Sequence, residues 1–304
     1  MHTHAAEPAA TSVTDQLARD GIVVLPRFIE GEPLAGMQHA FAHALARPRI
    51  NLVSGYEKSE LHRDMVEDVL MLDQGFVDAA VHPLVTRTLA EYIGDGYQLV
   101  EAKGWMSYPT RRDFHGWHGD EWYDKAKITD HIPREVKLAI YLTDVDSGFF
   151  EYVAGTHQHE APRFYKSAEV GSAVKGQTVQ ARGPAGTAVI FDTSGVHRQS
   201  VPILKHRHAV FYNYHDPSVP LQSSDIKGNR YHPLLLNAAL LGNLTQEHRR
   251  VLGFGDPRNH RPLYSRPSGT PRLDRLYRKW LQMALVLDDF GARVGGRVKR
   301  ILGK

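Results

Sequence analysis

The N-terminal part of the chain carries the apolar spacing of helices, interrupted by one strand. A short helix is predicted after Ser12, whose hydroxyl can cap it, and the apolar run 22–26 predicts a strand. Longer helices are predicted over 31–47 and 82–94, and residues 1–11 are expected to be a flexible N-terminus. This part of the chain is therefore predicted to be mainly helical.

From residue 97 onward, short β-rich runs alternate with turn residues. The runs predicted as strands are 97–108, 136–146, 150–154, 177–182, 186–192 and 206–214. The best central strand is 137–143, with the turn expected at 144–148. Several short strands at this spacing are typical of a sandwich or barrel rather than of alternating βα units. Since helices are predicted again beyond 232, including 272–290, the expected architecture is an all-β core with flanking helices.

Composition narrows the chemistry that the chain can carry. The 304 residues include no cysteine, which excludes disulfides, thiolate zinc sites, iron–sulfur clusters and cysteine nucleophiles. No apolar run approaches the ~18 residues that span a bilayer, and the N-terminus lacks the pattern of a secretory signal, so a cytoplasmic protein is expected. The unusual feature is the count of 18 histidines, because histidine is the commonest metal ligand.

The net charge of +3 is unevenly distributed. Residues 272–304 contain nine Lys or Arg against three Asp or Glu, which leaves the rest of the chain slightly acidic. A basic tail on an acidic body argues against a nucleic-acid partner. The favoured interpretation of the tail is a C-terminal helix with a solvated basic side. Peripheral contact of the C-terminal basic helices with a membrane is the alternative.

The densest polar cluster, residues 114–122, contains a candidate metal site. On an extended segment, residues two apart share a face, so His118 and Asp120 can both point at one ion. The best third ligand is His197, just after the predicted strand 186–192. Two histidines and one carboxylate leave open positions on the metal, as in non-haem Fe(II) oxygenases.

Other side chains are candidates for holding a cosubstrate or a substrate. Arg207 follows His197 by ten residues and can take a carboxylate in a planar fork, as the distal carboxylate of 2-oxoglutarate requires. Lys137 is the alternative for that role. Trp117 and Trp122 bracket the metal cluster and Arg198 follows His197, so these three are candidate substrate contacts.

Several of these motifs occur in the order typical of one family, and together they resemble the phytanoyl-CoA dioxygenase family. The residues that carry the resemblance are His118-x-Asp120, Gly148 with the turn 153–157, the segment 186–191, His197 and Arg207-x-Ala209. The resemblance covers roughly residues 12–215. Two departures are Ala154, where the turn usually has Pro, and Arg198-Gln199, where Gly-Ser often follows the distal histidine. The second departure bears on substrate contacts, not on the iron.

The resemblance implies a double-stranded β-helix (jelly-roll, cupin-like) barrel that binds Fe(II), 2-oxoglutarate and O2. The oxygenase domain is then expected over 12–230 and a basic helical extension over 231–304. The implied activity is hydroxylation of an unactivated C–H bond with release of succinate and CO2. Halogenation is disfavoured, because halogenating relatives carry a small residue at the position of Asp120.

The substrate is expected to be a small molecule, anionic or linked to a lipid or sugar. The charges that suggest an anion are those of Arg111, Arg112, Lys125 and Lys127. A catalytically silent jelly-roll that binds a carbohydrate or lipid at a membrane surface is the alternative function.

Two further histidines need an interpretation. His115 is the alternative to His118 as the first metal-binding histidine in sequence order. A binuclear zinc hydrolase is disfavoured, because its motif requires histidine where Glu121 stands. For His157, a structural hydrogen bond is favoured over metal ligation.

Overall fold

The N-terminal helices lie where their apolar spacing predicts them. In a computed structural model, which describes residues 12–46, 62–66, 69–114, 116–159, 164–165, 170, 174–222, 234–254 and 283, Ser12 caps α1 by accepting a hydrogen bond from the N–H of Asp15. Gly21 ends α1 in left-handed backbone, which glycine adopts without strain. The helices are α1 (Val13–Asp20), α2 (Gly31–Leu45), α3 (Gln74–Ala80), α4 (Pro83–Ile93) and α5 (Gln246–Val251).

Two elements between α2 and α4 were not predicted from the sequence. The helix α3 has only seven residues and begins at Asp73, whose carboxylate accepts a hydrogen bond from the N–H of Gly75. The strand Arg63–Val66 begins with two charged residues, which are not enriched in strands. It forms because it pairs with a longer strand and because Arg63 lies over the ring of Trp105.

The strands form two antiparallel sheets. The six-stranded sheet has the order β1-β9-β5-β11-β3-β2 and the five-stranded sheet the order β7-β4-β10-β6-β8. The strands are β1 (Ile22–Leu25), β2 (Arg63–Val66), β3 (Gln98–Ser107), β4 (Trp117–His118), β5 (Glu135–Tyr141), β6 (Val145–Val153), β7 (Phe164–Tyr165), β8 (Thr178–Gly183), β9 (Ala188–Asp192), β10 (His197–Gln199) and β11 (Arg207–His215). The predicted all-β core with flanking helices is confirmed.

The turn after β5 differs from the prediction. β5 ends at Tyr141 and β6 already begins at Val145, so the expected turn 144–148 is replaced by residues 142–144. The start of β6 is irregular, with a shift in its pairing to β8 between Val145 and Phe150. Gly148 lies inside this irregularity with a φ of 63°. Small and polar residues such as those at 144–148 occur both in turns and at bulged strand starts, which is why the sequence suggested a turn.

The six-stranded sheet separates two apolar cores. On β11, Val210, Tyr212 and Tyr214 pack on the side of the N-terminal helices. The alternate residues Ala209 and Phe211 pack into the interior between the two sheets, with side chains of β6 and β8. This alternation is that of a strand buried on both faces. Interior-facing residues of both sheets therefore surround one space.

The C-terminal part is described only in pieces. The chain divides into two units, Met1–Asn259 and His260–Lys304. The flexible N-terminus 1–11 and, except for Met283, the predicted helix 272–290 fall outside the described residues. The predicted boundary at 230 stays a prediction. None of the helices in the described ranges is long and apolar enough to cross a lipid bilayer.

Candidate metal centre

Two short strands bring His118 and His197 together. His118 on β4 is the direct register partner of His197 on β10, and their ring centroids lie 4.4 Å apart. Asp120 follows β4, and its backbone N–H donates to the carbonyl of Thr193 at 2.8 Å. One ligand atom from each of these three side chains lies within 4.8 Å of the others. The structure thus brings together the three residues that the sequence spacing singled out.

Backbone carbonyls orient both imidazoles. Nδ1 of His118 lies 3.0 Å from the carbonyl oxygen of Gly116, and Nδ1 of His197 lies 2.8 Å from that of Gly195. Because a carbonyl oxygen only accepts, each Nδ1 must carry the hydrogen, which leaves the lone pair on Nε2. This is the arrangement by which proteins present histidine to a metal.

The environment keeps His197 neutral. Burial, and secondarily the nearby His118, lower the pKa of His197 to about 3. Its ring packs against the rings of Phe150, Tyr152 and Phe191. A neutral imidazole is the form that ligates metals, and the aromatic surroundings exclude water from that side of the centre.

The carboxylate of Asp120 has two neighbours. Its Oδ1 lies 3.7 Å from Nε2 of His118, and its Oδ2 accepts a hydrogen bond from Nζ of Lys137 on β5. The sequence analysis considered Lys137 as the alternative holder of a distal carboxylate. The structure brings it instead into contact with a candidate metal ligand.

A buried network holds the turn that leads into His197, and the sequence did not reveal it. Asp192 is fully buried, which raises the pKa of its carboxyl. Its Oδ2 accepts from the hydroxyl of Tyr92 at 2.8 Å, and its Oδ1 accepts from the N–H of Ser194 at 2.9 Å. The hydroxyl of Tyr152 donates to the carbonyl of Asp192 at 2.9 Å. This network fixes the backbone of residues 192–195, which includes the Gly195 carbonyl beside His197.

A second network lies behind Asp120 and accounts for Trp122. Thr193 donates to Glu135 through its hydroxyl and its backbone N–H, both at 3.0 Å, and Glu135 lies 3.1 Å from Nδ1 of His215. Trp122 is fully buried and stacks on His215 with ring centroids 4.4 Å apart. Its ring contacts are those of a packing residue, while its Nε1 has no partner among the described residues. A substrate contact by Trp122 stays a prediction.

Arg198 is engaged with two acidic residues. Its Nε lies 2.8 Å from Glu151 and its Nη1 lies 3.4 Å from Asp113, while its guanidinium lies 4.4 Å from the ring centre of Trp117. The positive charge is therefore balanced within the protein. The predicted substrate contacts of Arg198 and Trp117 stay predictions.

Arg207 is buried at the start of β11. Its Nη1 donates to the carbonyl of Gly148 at 2.6 Å, and its Nε has no partner among the described residues. The side-chain amide of Gln199 donates to the same carbonyl at 3.4 Å. Gln199 follows His197 by two residues on β10, a spacing of about 7 Å in a strand. Arg207 and Gln199 thus share one acceptor, and Gln199 lies on the same short strand as His197.

The remaining histidines do not join this cluster in the described part of the chain. Nε2 of the buried His157 lies 3.2 Å from the carbonyl oxygen of Ala18, in line with the predicted structural hydrogen bond. His115 falls outside the described residues. The donor set of two imidazoles, each with its Nδ1 at a backbone carbonyl, and one carboxylate fits an iron(II) ion.

The close approach of two loops at Gly119 leads to a testable prediction. A Cβ on Gly119 would lie 2.8 Å from the backbone carbonyl oxygen of Ser194, which cannot move aside as a flexible side chain can. We expect Gly119→Ala to separate Asp120 from the turn 192–195 and to lower iron(II) affinity about 10- to 100-fold, the usual effect of disturbing support around ligands. Metal titration of the purified variant measures this effect.

Gly242→Ala is the matched control, because a Cβ there meets nothing within 4 Å. Equal iron affinity in the two variants would show that the approach at Gly119 does not support the centre.

Comparisons with known proteins agree with this picture. The chain matches the family described as "Phytanoyl-CoA dioxygenase (PhyH)" over residues 17–199. No curated protein sequence matches it.

Two solved structures are similar in fold. EctD from S. alaskensis, crystallised with 2-oxoglutarate and 5-hydroxyectoine, is 18% identical, with a TM-score of 0.55 over 72% of this chain and 82% of that one. The non-heme alpha ketoglutarate dependent epimerase SnoN from nogalamycin biosynthesis is also 18% identical, with a TM-score of 0.50 over 67% and 82%. At this identity the similarity supports the fold alone. Because the family match spans more than half of the chain, the protein belongs to the phytanoyl-CoA dioxygenase family and is a non-haem iron and 2-oxoglutarate-dependent oxygenase.

Proposed function

We propose that the protein hydroxylates an unactivated C–H bond of a small-molecule substrate and releases succinate and CO2. The observation that carries this proposal is the convergence of His118, Asp120 and His197 within 4.8 Å. Both histidines have the Nε2 atom prepared for a metal by a carbonyl at Nδ1. Iron(II) bound with 2-oxoglutarate supplies the activation of dioxygen that such a hydroxylation needs.

The residues of the chain have separate tasks in this proposal. His118, Asp120 and His197 hold the iron. Arg207 takes the distal carboxylate of 2-oxoglutarate, for which its unpartnered Nε and its burial are suited. Lys137 holds the carboxylate of Asp120 in place by donating to Oδ2.

Hydroxylation is favoured over halogenation because Asp120 occupies the position that a halide needs. The alternative, a silent jelly-roll at a membrane surface, predicts no retention of iron. An anionic substrate is less well supported than the sequence suggested, because two of the four basic residues have acidic partners. Lys125 pairs with Glu121 at 3.1 Å and Lys127 with Asp124 at 3.2 Å. Except for Met283, the tail that suggested membrane contact lies outside the described residues.

The test begins with anaerobic reconstitution with Fe(II), followed by measurement of bound iron. The loaded protein is then incubated with 2-oxoglutarate, O2 and a pool of cellular metabolites. We expect succinate release coupled to a metabolite whose mass increases by one oxygen atom, labelled when 18O2 is supplied. Iron retention without any oxygen incorporation would contradict hydroxylation, and failure to retain iron would contradict the proposed centre.

A further inference from the structure

One cross-strand row on the interior face of the six-stranded sheet carries polar residues on three adjacent strands; this row is called the polar level. Asn213 on β11 is the register partner of Lys137 on β5 and of Glu101 on β3. In an antiparallel sheet, side chains of directly opposite residues lie on the same face. Two residues earlier on β11, Phe211 packs into the apolar interior, so this polar level borders an apolar one.

The charged residues at this level have partners. Lys137 donates to Asp120, and Glu101 accepts from Lys103, which lies two residues further along β3. The charges of Lys137 and Glu101 are therefore paired within the protein. The neutral side chain of Asn213 lies on the strand between these two residues.

Asn213 is the exception in this row. It is 1% exposed, and neither Oδ1 nor Nδ2 has a hydrogen-bond partner among the described residues. A carboxamide offers two donors and one acceptor oxygen. Buried polar side chains almost always have a partner, so a carboxamide with none at either end has both ends available to a group supplied from outside the chain.

The position of Asn213 relative to the metal centre suits contact with a substrate rather than with 2-oxoglutarate. Asn213 is in register with Lys137, whose ammonium contacts the candidate ligand Asp120. Arg207, proposed for the distal carboxylate, lies six residues away on the same strand, about 20 Å along it. The carboxamide therefore lies on the Lys137 side of the centre and far from the proposed end of 2-oxoglutarate.

Resting on the proposed function, we propose that Asn213 binds and orients the substrate by hydrogen bonds to a substrate group that both donates and accepts, a hydroxyl or a primary amide. The substrate class is then a polar, hydroxyl- or amide-bearing small molecule. A saturated acyl chain is a poor fit, because it would displace water from the carboxamide and leave both of its ends unsatisfied.

The binding test uses the Fe(II) and 2-oxoglutarate-loaded protein under anaerobic conditions. The metal-to-ligand absorption band is followed while myo-inositol, methyl glucoside or octanoate is added. We expect at least one hydroxylated probe to perturb the band of the wild type, and Asn213→Leu to weaken that response about 10- to 100-fold. The affinity for 2-oxoglutarate is expected to remain unchanged in this variant.

The stability test separates a binding role from a structural one. Asn213→Leu replaces an unsatisfied buried amide by an apolar side chain of similar size, so we expect its melting temperature to be unchanged or higher by about 2–4 °C. The matched control is Thr187→Val, at a fully buried residue whose hydroxyl donates to the carbonyl of Pro184 at 2.7 Å. The control should melt at a lower temperature and keep its response to the probe.

The outcomes are distinct from those of the proposed function. If the absorption band does not form, the proposed function fails. If the band forms but octanoate perturbs it more strongly than the hydroxylated probes do, or if the Leu variant responds as the wild type does, the role of Asn213 is overturned. Where no probe perturbs the band, the melting temperatures decide, and a lower value for Asn213→Leu overturns the proposal.

Discussion

Replacing His197 by alanine is expected to abolish both iron retention and turnover. His197 is 5% exposed, its ring is held by three aromatic side chains, and its Nδ1 is committed to Gly195. Alanine removes the Nε2 donor and leaves a cavity that no neighbouring donor can fill. Iron content after anaerobic reconstitution, measured beside succinate formation, gives the result.

His206→Ala is the matched control, because His206 is exposed and lies outside the three-residue cluster. It should retain iron and activity, as should His115→Ala if His118 is the first ligand. If instead His115→Ala loses the metal and His118→Ala keeps it, the assignment of ligands is wrong.

The carboxylate of the centre can be tested in the same way. Asp120→Gly removes the one anionic ligand and is expected to end hydroxylation. Full hydroxylase activity in this variant would contradict ligation by Asp120. The fold is expected to remain, because glycine keeps the backbone N–H that donates to the carbonyl of Thr193.

Arg207→Ala is expected to weaken binding of 2-oxoglutarate by roughly 30-fold to several thousand-fold, with iron binding intact. Removing one partner of a buried charge pair costs about 2–5 kcal/mol, and about 1.4 kcal/mol corresponds to tenfold in affinity. Arg207 is 4% exposed, and among the described residues its Nη1 donates to the carbonyl of Gly148 while its Nε has no partner. Titration of 2-oxoglutarate into the anaerobic Fe(II) protein, followed by the metal-to-ligand band, measures the affinity.

Arg207→Lys separates charge from geometry. Lysine keeps the positive charge but loses the planar fork, so the variant should be impaired less than Arg207→Ala. An unchanged affinity in Arg207→Ala would mean that another basic residue holds the carboxylate. Lys137→Met would then be the next variant, although its contact with Asp120 predicts a loss of iron affinity instead.

The positions of the strands explain why the candidate site could be predicted while its support could not. His118-x-Asp120 is a local pattern, and a late histidine after a strand is a second one. The networks around Asp192 and Glu135 join residues such as Tyr92 and His215 that are 100 and 80 positions away in sequence. No periodicity or spacing relates such residues, because they meet only when the sheet is formed.

Local features of this protein follow from the amino-acid pattern alone: the capped first helix, the alternation along β11, the all-β core, and the residue types of the centre in their order. How these residues are used depends on contacts between segments that are distant in the chain. Folding brings one ligand atom from each of His118, Asp120 and His197 within 4.8 Å of the others. It also sets Lys137 against Asp120 and leaves Asn213 without a partner among the described residues. The physical reason is that these relations depend on strand register, which is set by pairing between segments distant in the chain.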